Sequence, residues 1–340
     1  MTATGSVLAG LPAGLRLRVR PFRDASDYEA MATLESLANV HDGIPWLPTA
    51  EAIKAEYDGA DGLDPRADIA VVENADGLVA VAVTERTVRD RVPNYDLWGY
   101  VHPDHRRLGI GSALFEHNLA RIAVRVPAED PVGAVLLRAH AEEGQTGHEI
   151  LLETHGFNPI RQFLLMRRAG FEGIPDAPLP AGLELRPVAA DQHRRIWEAE
   201  CEAFQDHWGA HTFTEHDFDV TFGRSALDTS LWTVAWDGDE VAGVAQGWIW
   251  REENATLGIE RGWLEKISVR RPWRQRGLGR ALTAAGLARL RDAGMSEAML
   301  GVDAQNPTGA LGLYERLGFE VEQRMIAYQR SFDRAPTSTP

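Results

Sequence analysis

Cysteine is nearly missing from these 340 residues: Cys201 stands alone. A single thiol excludes an intrachain disulfide and any thiolate metal cluster. Its setting, Glu200-Cys201-Glu202-Ala203-Phe204, reads as helix, where a buried structural thiol is the expectation. Lysine is just as scarce, with Lys54 and Lys266 set against 33 arginines, a usage typical of GC-rich coding. No run approaches the ~18 apolar residues of a membrane span. The opening Met-Thr-Ala-Thr-Gly lacks the basic start of a signal peptide, so a cytoplasmic chain with no membrane partner is expected. Positive charge is also in deficit: 35 basic residues against 50 acidic give −15 at pH 7. Such a field repels nucleic acid and anionic lipid surfaces, yet leaves room for one basic loop. No metal site is expected.

What is present points to two domains. Apolar residues at 44% and charged residues at 25% are ordinary for a globular protein, and the length suits two cores better than one. Internal repetition supports this. Leu17-Arg18-Val19-Arg20-Pro21 returns as Leu183-Glu184-Leu185-Arg186-Pro187, an offset of 166. The run from Val101 to Leu114 returns from Val269 to Leu282, an offset of 168. His155-Gly156-Phe157 returns as Leu317-Gly318-Phe319, an offset of 162. Three anchors in the same order at nearly constant offset indicate a duplication. The expected layout is a first domain over 1–169, a Pro/Gly-rich linker over 170–181, a second domain over 182–331 and a frayed tail over 332–340.

The second copy is the easier to read. Leu231 to Trp236 and Val241 to Trp250 are strand candidates around the turn Asp237-Gly238-Asp239. Trp263 to Val269 is a further strand, and Gly277 to Ala293 carries a helical apolar stripe. A short strand at Ala298 to Val302 and a helix from about Pro307 to Leu317 follow. The plan is α/β, with a mixed, mostly antiparallel sheet flanked by helices in each copy.

Between the strand ending at Val269 and the long helix lies Arg274-Gln275-Arg276-Gly277-Leu278-Gly279. Helix N-termini present unpaired N–H groups and a positive dipole end, and glycines let the backbone close around a phosphate. The run is not a dinucleotide fingerprint, which needs a third glycine, nor a P-loop, which needs Gly-Lys-Ser/Thr. It resembles the coenzyme A pyrophosphate loop of the GNAT acetyltransferases. Asn306-Pro307-Thr308-Gly309-Ala310 and Tyr314 to Phe319 resemble that family's C-terminal signature, and the doubled layout resembles its mycothiol-synthase-like tandem group.

The resemblance implies a set of roles. Ile267, Ser268 and Val269 would pair their backbone with the pantetheine arm of acetyl-CoA. Arg274, Gln275, Arg276, Gly277, Leu278, Gly279 and Arg280 would surround the pyrophosphate, and Asn306 would reach the arm. In the first copy Val101, Arg106, Arg107, Leu108, Gly109, Ile110, Gly111 and Ser112 would form the matching site. Tyr314 would be the general acid, since a phenol is suited to protonating a departing thiolate.

Glu265 is the candidate general base. Strand alternation puts it on the face of Ile267 and Val269, although the family's usual base position falls on Trp263. It could equally anchor the substrate amine or be a solvated edge charge; His207 and Asp303 are weaker candidates. Offsets of 162 and 168 set Leu152 and Leu97 against Tyr314 and Glu265, so the first copy is expected to bind coenzyme A without catalysing transfer, or only to pack. The leading function is acetyl transfer to a primary amine of a small molecule, such as an amino sugar or antibiotic-like compound, read by loops around 203–226 and 251–262. The alternatives are another acyl-CoA donor or a non-catalytic acyl-CoA sensor, which would bind without turnover.

Overall fold

The computed structural model describes residues 16–130, 132–210, 213–306 and 308–333. Pro307, and residues 334–340 of the expected tail, lie outside them. The first copy runs β1 (Arg18–Pro21), α1 (Ala25–Asp42), α2 (Ala50–Tyr57), α3 (Pro65–Asp68), β2 (Ile69–Glu73), β3 (Leu78–Arg89), β4 (Val92–Val101), α4 (Ile110–Glu129), β5 (Leu136–Glu142), α5 (Thr146–Thr154) and β6 (Asn158–Ala169). The second runs β7 (Glu184–Arg186), α6 (His193–Phe204), α7 (Glu215–Gly223), β8 (Thr233–Asp237), β9 (Glu240–Trp248), α8 (Arg251–Leu257), β10 (Arg261–Val269), α9 (Leu278–Asp292), β11 (Glu297–Asp303), α10 (Ala310–Arg316) and β12 (Glu320–Ser331). The hairpin, strand, helix, strand, helix, strand order expected of the second copy is present.

Local chemistry explains several boundaries. Asp24 accepts a hydrogen bond from the Ser26 amide and starts α1, and Thr214 and Asp217 cap α7 reciprocally. Residues 203–226 and 251–262 are not simply loops, because α7 and α8 form within them. The apolar positions that make these helices are interrupted by charge, which hid their periodicity.

The compact units do not coincide with the repeat copies. Among the described residues, one unit lies within 1–160 and 326–340, the other within 161–325. In the first unit the strands are ordered β1-β2-β3-β4-β5 and then the end of β12. In the second the order is β6-β11-β10-β9-β8-β7. Each unit thus takes its last strand from the other copy: Glu297 to Asp303 of β11 pair antiparallel with Ala169 back to Phe163 of β6. Among the described registers, β4 with β5 and β10 with β11 are parallel and the others antiparallel. Residues 170–183 form no regular element, but Phe171 is buried in the second unit's core and Leu179 and Leu183 pack against its β-sheet.

Candidate active site

The loop between β10 and α9 has the backbone an anion site needs. Gln275 and Gly277 both take left-handed conformations, φ 59° and 87°, which curl the chain. The first helical bond runs from the Ala281 amide to the Gly277 carbonyl at 3.1 Å. The amides of Leu278, Gly279 and Arg280 therefore lie ahead of the ladder, free of it and aligned with the dipole. A Cβ placed on Gly279 would meet only Val269, at 3.8 Å, so the space beside the loop is open.

Arg274 acts differently from the expectation that its charge would face the phosphate. Its Nε donates to the Val269 carbonyl at 2.8 Å, its Nη1 to Asp206 at 2.6 Å and its Nη2 to the Ala203 carbonyl at 3.1 Å. The guanidinium braces the loop against the end of β10 and the segment after α6. Arg271 and Arg274 together hold the Asp206 carboxyl well below the usual carboxylate range. Arg276 is exposed, and Arg280 donates to the Asp176 carbonyl at 3.2 Å.

Beside the loop the sheet opens. β10 and β11 pair only from Arg261 to Trp263, against Glu297 to Met299. Beyond Trp263 the edge of β10 that faces β11 is unpaired, while its other edge pairs Ile267, Ser268 and Val269 with Ala245, Val244 and Gly243. An extended amide-bearing chain fits such an edge by strand-like hydrogen bonding. The loop and the open edge together fit coenzyme A.

The β9–β10 register slips between Leu264 and Lys266, so Glu265 is a bulge residue. The bulge breaks the alternation that was expected to put Glu265 on the face of Ile267 and Val269. Leu264 and Ile267, three residues apart, instead join the same apolar side. Glu265 is exposed and accepts from Trp250 Nε1 at 3.1 Å.

Tyr314 lies elsewhere, 7% exposed, in the cluster that holds Leu264, Leu300 and Val302 and against which Ile267 packs. Burial pushes its hydroxyl well above the ordinary phenol range, so it remains protonated at neutral pH. Asn306 Oδ1 accepts from the Thr308 amide at 2.9 Å and its hydroxyl at 2.6 Å, which fixes the turn before α10. Asp303 is occupied by Arg161, whose Nη2 donates at 2.6 Å, and His207 packs on Phe204 with ring centroids 4.4 Å apart. The Cys201 thiol is pushed up to about 12 by burial and by Glu200 beside it, which suits a structural thiol and not a nucleophile.

The first copy repeats the loop closely. Arg107 and Gly109 have φ 61° and 83°, and the Ala113 amide reaches the Gly109 carbonyl at 3.1 Å. Arg106 is again the brace, with Nε to the Val101 carbonyl at 3.2 Å and Nη2 to Asp42 at 3.1 Å. Leu108, Ser112 and Gly111 flank it, with Ile110 buried beneath. β4 and β5 likewise pair only from Asn94 to Asp96, against Leu136 to Arg138.

One alignment changes. β4 pairs β3 without a slip from Val92 to Val101. Matching the parallel pairs sets Asn94 against Arg261 and hence Leu97 against Leu264, which are 2% and 1% exposed. Glu265 is the inserted residue and has no counterpart; Leu97 does not replace it, and Trp263 corresponds to Asp96. Leu152 does stand for Tyr314: the Phe157 amide bonds the Leu152 carbonyl at 3.0 Å, as the Phe319 amide bonds that of Tyr314 at 3.1 Å.

Sequence reasoning missed the two arginine braces with Asp42 and Asp206, and the burial of Glu200 on α6. The braces were legible in principle, since Arg106 and Arg274 recur at the repeat offset. Their carboxylate partners do not share that offset.

Residues 193–319 match the acetyltransferase (GNAT) family. The mycothiol acetyltransferase of Salinispora arenicola is 36% identical over 68% of this chain and 71% of its own. That of Kocuria rhizophila is 29% identical over 82% and 94%. The crystal structure of a GCN5-related N-acetyltransferase from Sphaerobacter thermophilus superposes with a TM-score of 0.70 at 27% identity, covering 94% of this chain and 96% of that one. A tandem GNAT protein from the clavulanic acid biosynthesis pathway shares the fold, with a TM-score of 0.64 at 17% identity over 94% and 99%. The open strand edge, the phosphate loop and these likenesses agree: the chain belongs to the GNAT acetyltransferase family, and it transfers the acetyl group of acetyl-CoA to the amine of a small molecule.

Proposed function

We propose that the second copy performs the transfer and that the first holds coenzyme A without turnover. The observation that carries this reading is the exchange of Tyr314 for Leu152 at matching backbone positions beside two equally formed loops. Bound acetyl-CoA supplies an activated acetyl group as its thioester. Backbone amides from Gln275 to Arg280 hold the pyrophosphate, and the free edge of Ile267, Ser268 and Val269 aligns the arm. Tyr314 keeps its proton on Oη for the departing sulfur, because burial disfavours the phenolate. Glu265, exposed on its bulge, anchors the incoming amine.

The acceptor we favour is a cationic small molecule in the cytoplasm, of the amino-sugar or aminoglycoside kind, in keeping with the chain's net charge of −15. Because the relatives are named for mycothiol, mycothiol-related amines belong in the same panel. Thiol release from acetyl-CoA across that panel is the test. Turnover with at least one amine is expected; coenzyme A binding with no turnover on any amine would return the chain to the sensor reading. Equal rates with succinyl-CoA would remove the acetyl preference.

A further inference from the structure

Glu200 is a buried carboxylate that none of these roles uses. It lies on α6 and is 3% exposed. Gln246 Nε2 donates to its Oε2 at 2.6 Å, and Trp248 Nε1 donates to Gln246 Oε1 at 3.2 Å, which fixes the amide's orientation and the carboxylate with it. Oε1 is buried and has no hydrogen-bond partner. An unpaired oxygen on a desolvated carboxylate is costly, and its retention asks for a missing partner.

The surroundings say which partner. Lys266 attracts Glu200 from β10; Gln246 faces it from β9; Cys201 neighbours it on α6, and Asp217 of α7 acts on that thiol. Gln246 and Lys266 are register partners just past the Glu265 bulge. Ala245 faces the other way, toward α9, where it lies 3.8 Å from a Cβ built on Gly286. With α9 covering one face of the sheet, an acceptor reaching the β10–β11 opening comes from the face of α6.

The first copy offers a control within the same chain. Glu35 on α1 is also pushed up to about 7 by burial, but Tyr100 Oη donates to its Oε1 at 2.9 Å. Tyr57 and Trp98 pack beside it, joined by a 2.8 Å hydrogen bond. At the repeat offset of 168, Tyr100 and Trp98 become Ser268 and Lys266. A tyrosine hydroxyl satisfies the carboxylate in one copy; in the other the Glu200 Oε1 is buried without a partner.

We propose that Glu200 receives the ammonium group of the acceptor, which Glu265 guides in from the exposed bulge, and takes one of its protons on Oε1. The N–H bond breaks, its electron pair stays on nitrogen, and the proton later passes to solvent. Burial pushes the carboxyl up to about 7, which matches a base working near neutral pH. The inference rests on the acetyl-transfer reading.

The test is Glu200→Gln in the full chain, assayed with the panel amine that has the highest kcat/KM. kcat/KM is expected to fall about 10²-fold or more, and the acid limb of its pH profile to disappear. Coenzyme A affinity should not change. Calorimetry of amine binding with coenzyme A present, in buffers of different ionisation enthalpy, should show proton release at pH 7 by the wild type and none by the variant. A variant that keeps the acid limb and the proton release overturns the proposal. Loss of the limb in Glu265→Gln instead overturns it in favour of the bulge residue. If the glutamine variant does not fold, Glu200→Asp is read: at least a tenfold loss of kcat with unchanged coenzyme A affinity supports the role, and wild-type kcat refutes it. A wild type inert toward every amine overturns the acetyl-transfer reading itself, and this inference falls with it.

Discussion

Two glycine loops in one chain have nearly identical backbones while the residues around them differ. Arg107 and Gln275, Gly109 and Gly277, Arg106 and Arg274 hold matching conformations or contacts across the duplication. Binding by backbone amides needs only a left-handed glycine, a helix start and one arginine brace, and none of these depends on the chemistry next door. Proton transfer depends on single side chains. Leu152, wholly buried among apolar residues, packs where Tyr314 carries a hydroxyl, and no core has been lost by the exchange. The bulge at Glu265 has no counterpart in β4, and Glu200 of the second copy keeps a buried, unpaired Oε1. An intact loop therefore does not by itself tell which copy turns over.

The contrast can be broken most sharply at the glycines. Gly277→Glu strains a residue at φ 87° and sets a carboxylate against the bound pyrophosphate, so turnover should vanish. Gly109→Glu, at φ 83°, should leave most of it. Steady-state thiol release by both variants, with folding checked by circular dichroism, decides; a dead Gly109 variant beside a live Gly277 variant would reverse the assignment of the catalytic copy.

A smaller but more specific effect is expected from Tyr314→Phe. The ring still packs, so melting temperature and coenzyme A affinity should hold while kcat drops ~10²–10⁴-fold. Wild-type kcat under chemistry-limited conditions would leave Tyr314 a packing residue. The braces should give the mildest response. Arg274→Lys removes the fork that joins Val269, Asp206 and Ala203, and should weaken coenzyme A binding at the second site by roughly tenfold, about 1.4 kcal/mol. Arg106→Lys should do the same at the first site and leave kcat alone; calorimetric titration of each variant resolves the two.

Much of this architecture was legible in the sequence because it is local or repeated. The glycine spacing, the strand before it and the helix after it are set by neighbours in the chain, and the duplication states each anchor twice. The place of Tyr314 on α10 was legible from its distance to Leu317-Gly318-Phe319. The strand exchange was not, because β6 and β12 obey the same period-2 pattern whichever edge they join. Nor was the bulge: one inserted residue shifts the phase of β10 by a step that composition cannot register, and it moved Glu265 off the expected face and Leu97 onto Leu264. Glu200 stood in a run that read only as the helix around Cys201. By itself, then, the sequence determined the α/β class, the doubled plan and both glycine loops at helix starts, since these follow from nearest-neighbour conformational preferences. Only the tertiary structure decided which strand completes which sheet, where the bulge turns a side chain and which carboxylate oxygen is left dry and unpaired, because those are set by residues that meet through space and not along the chain.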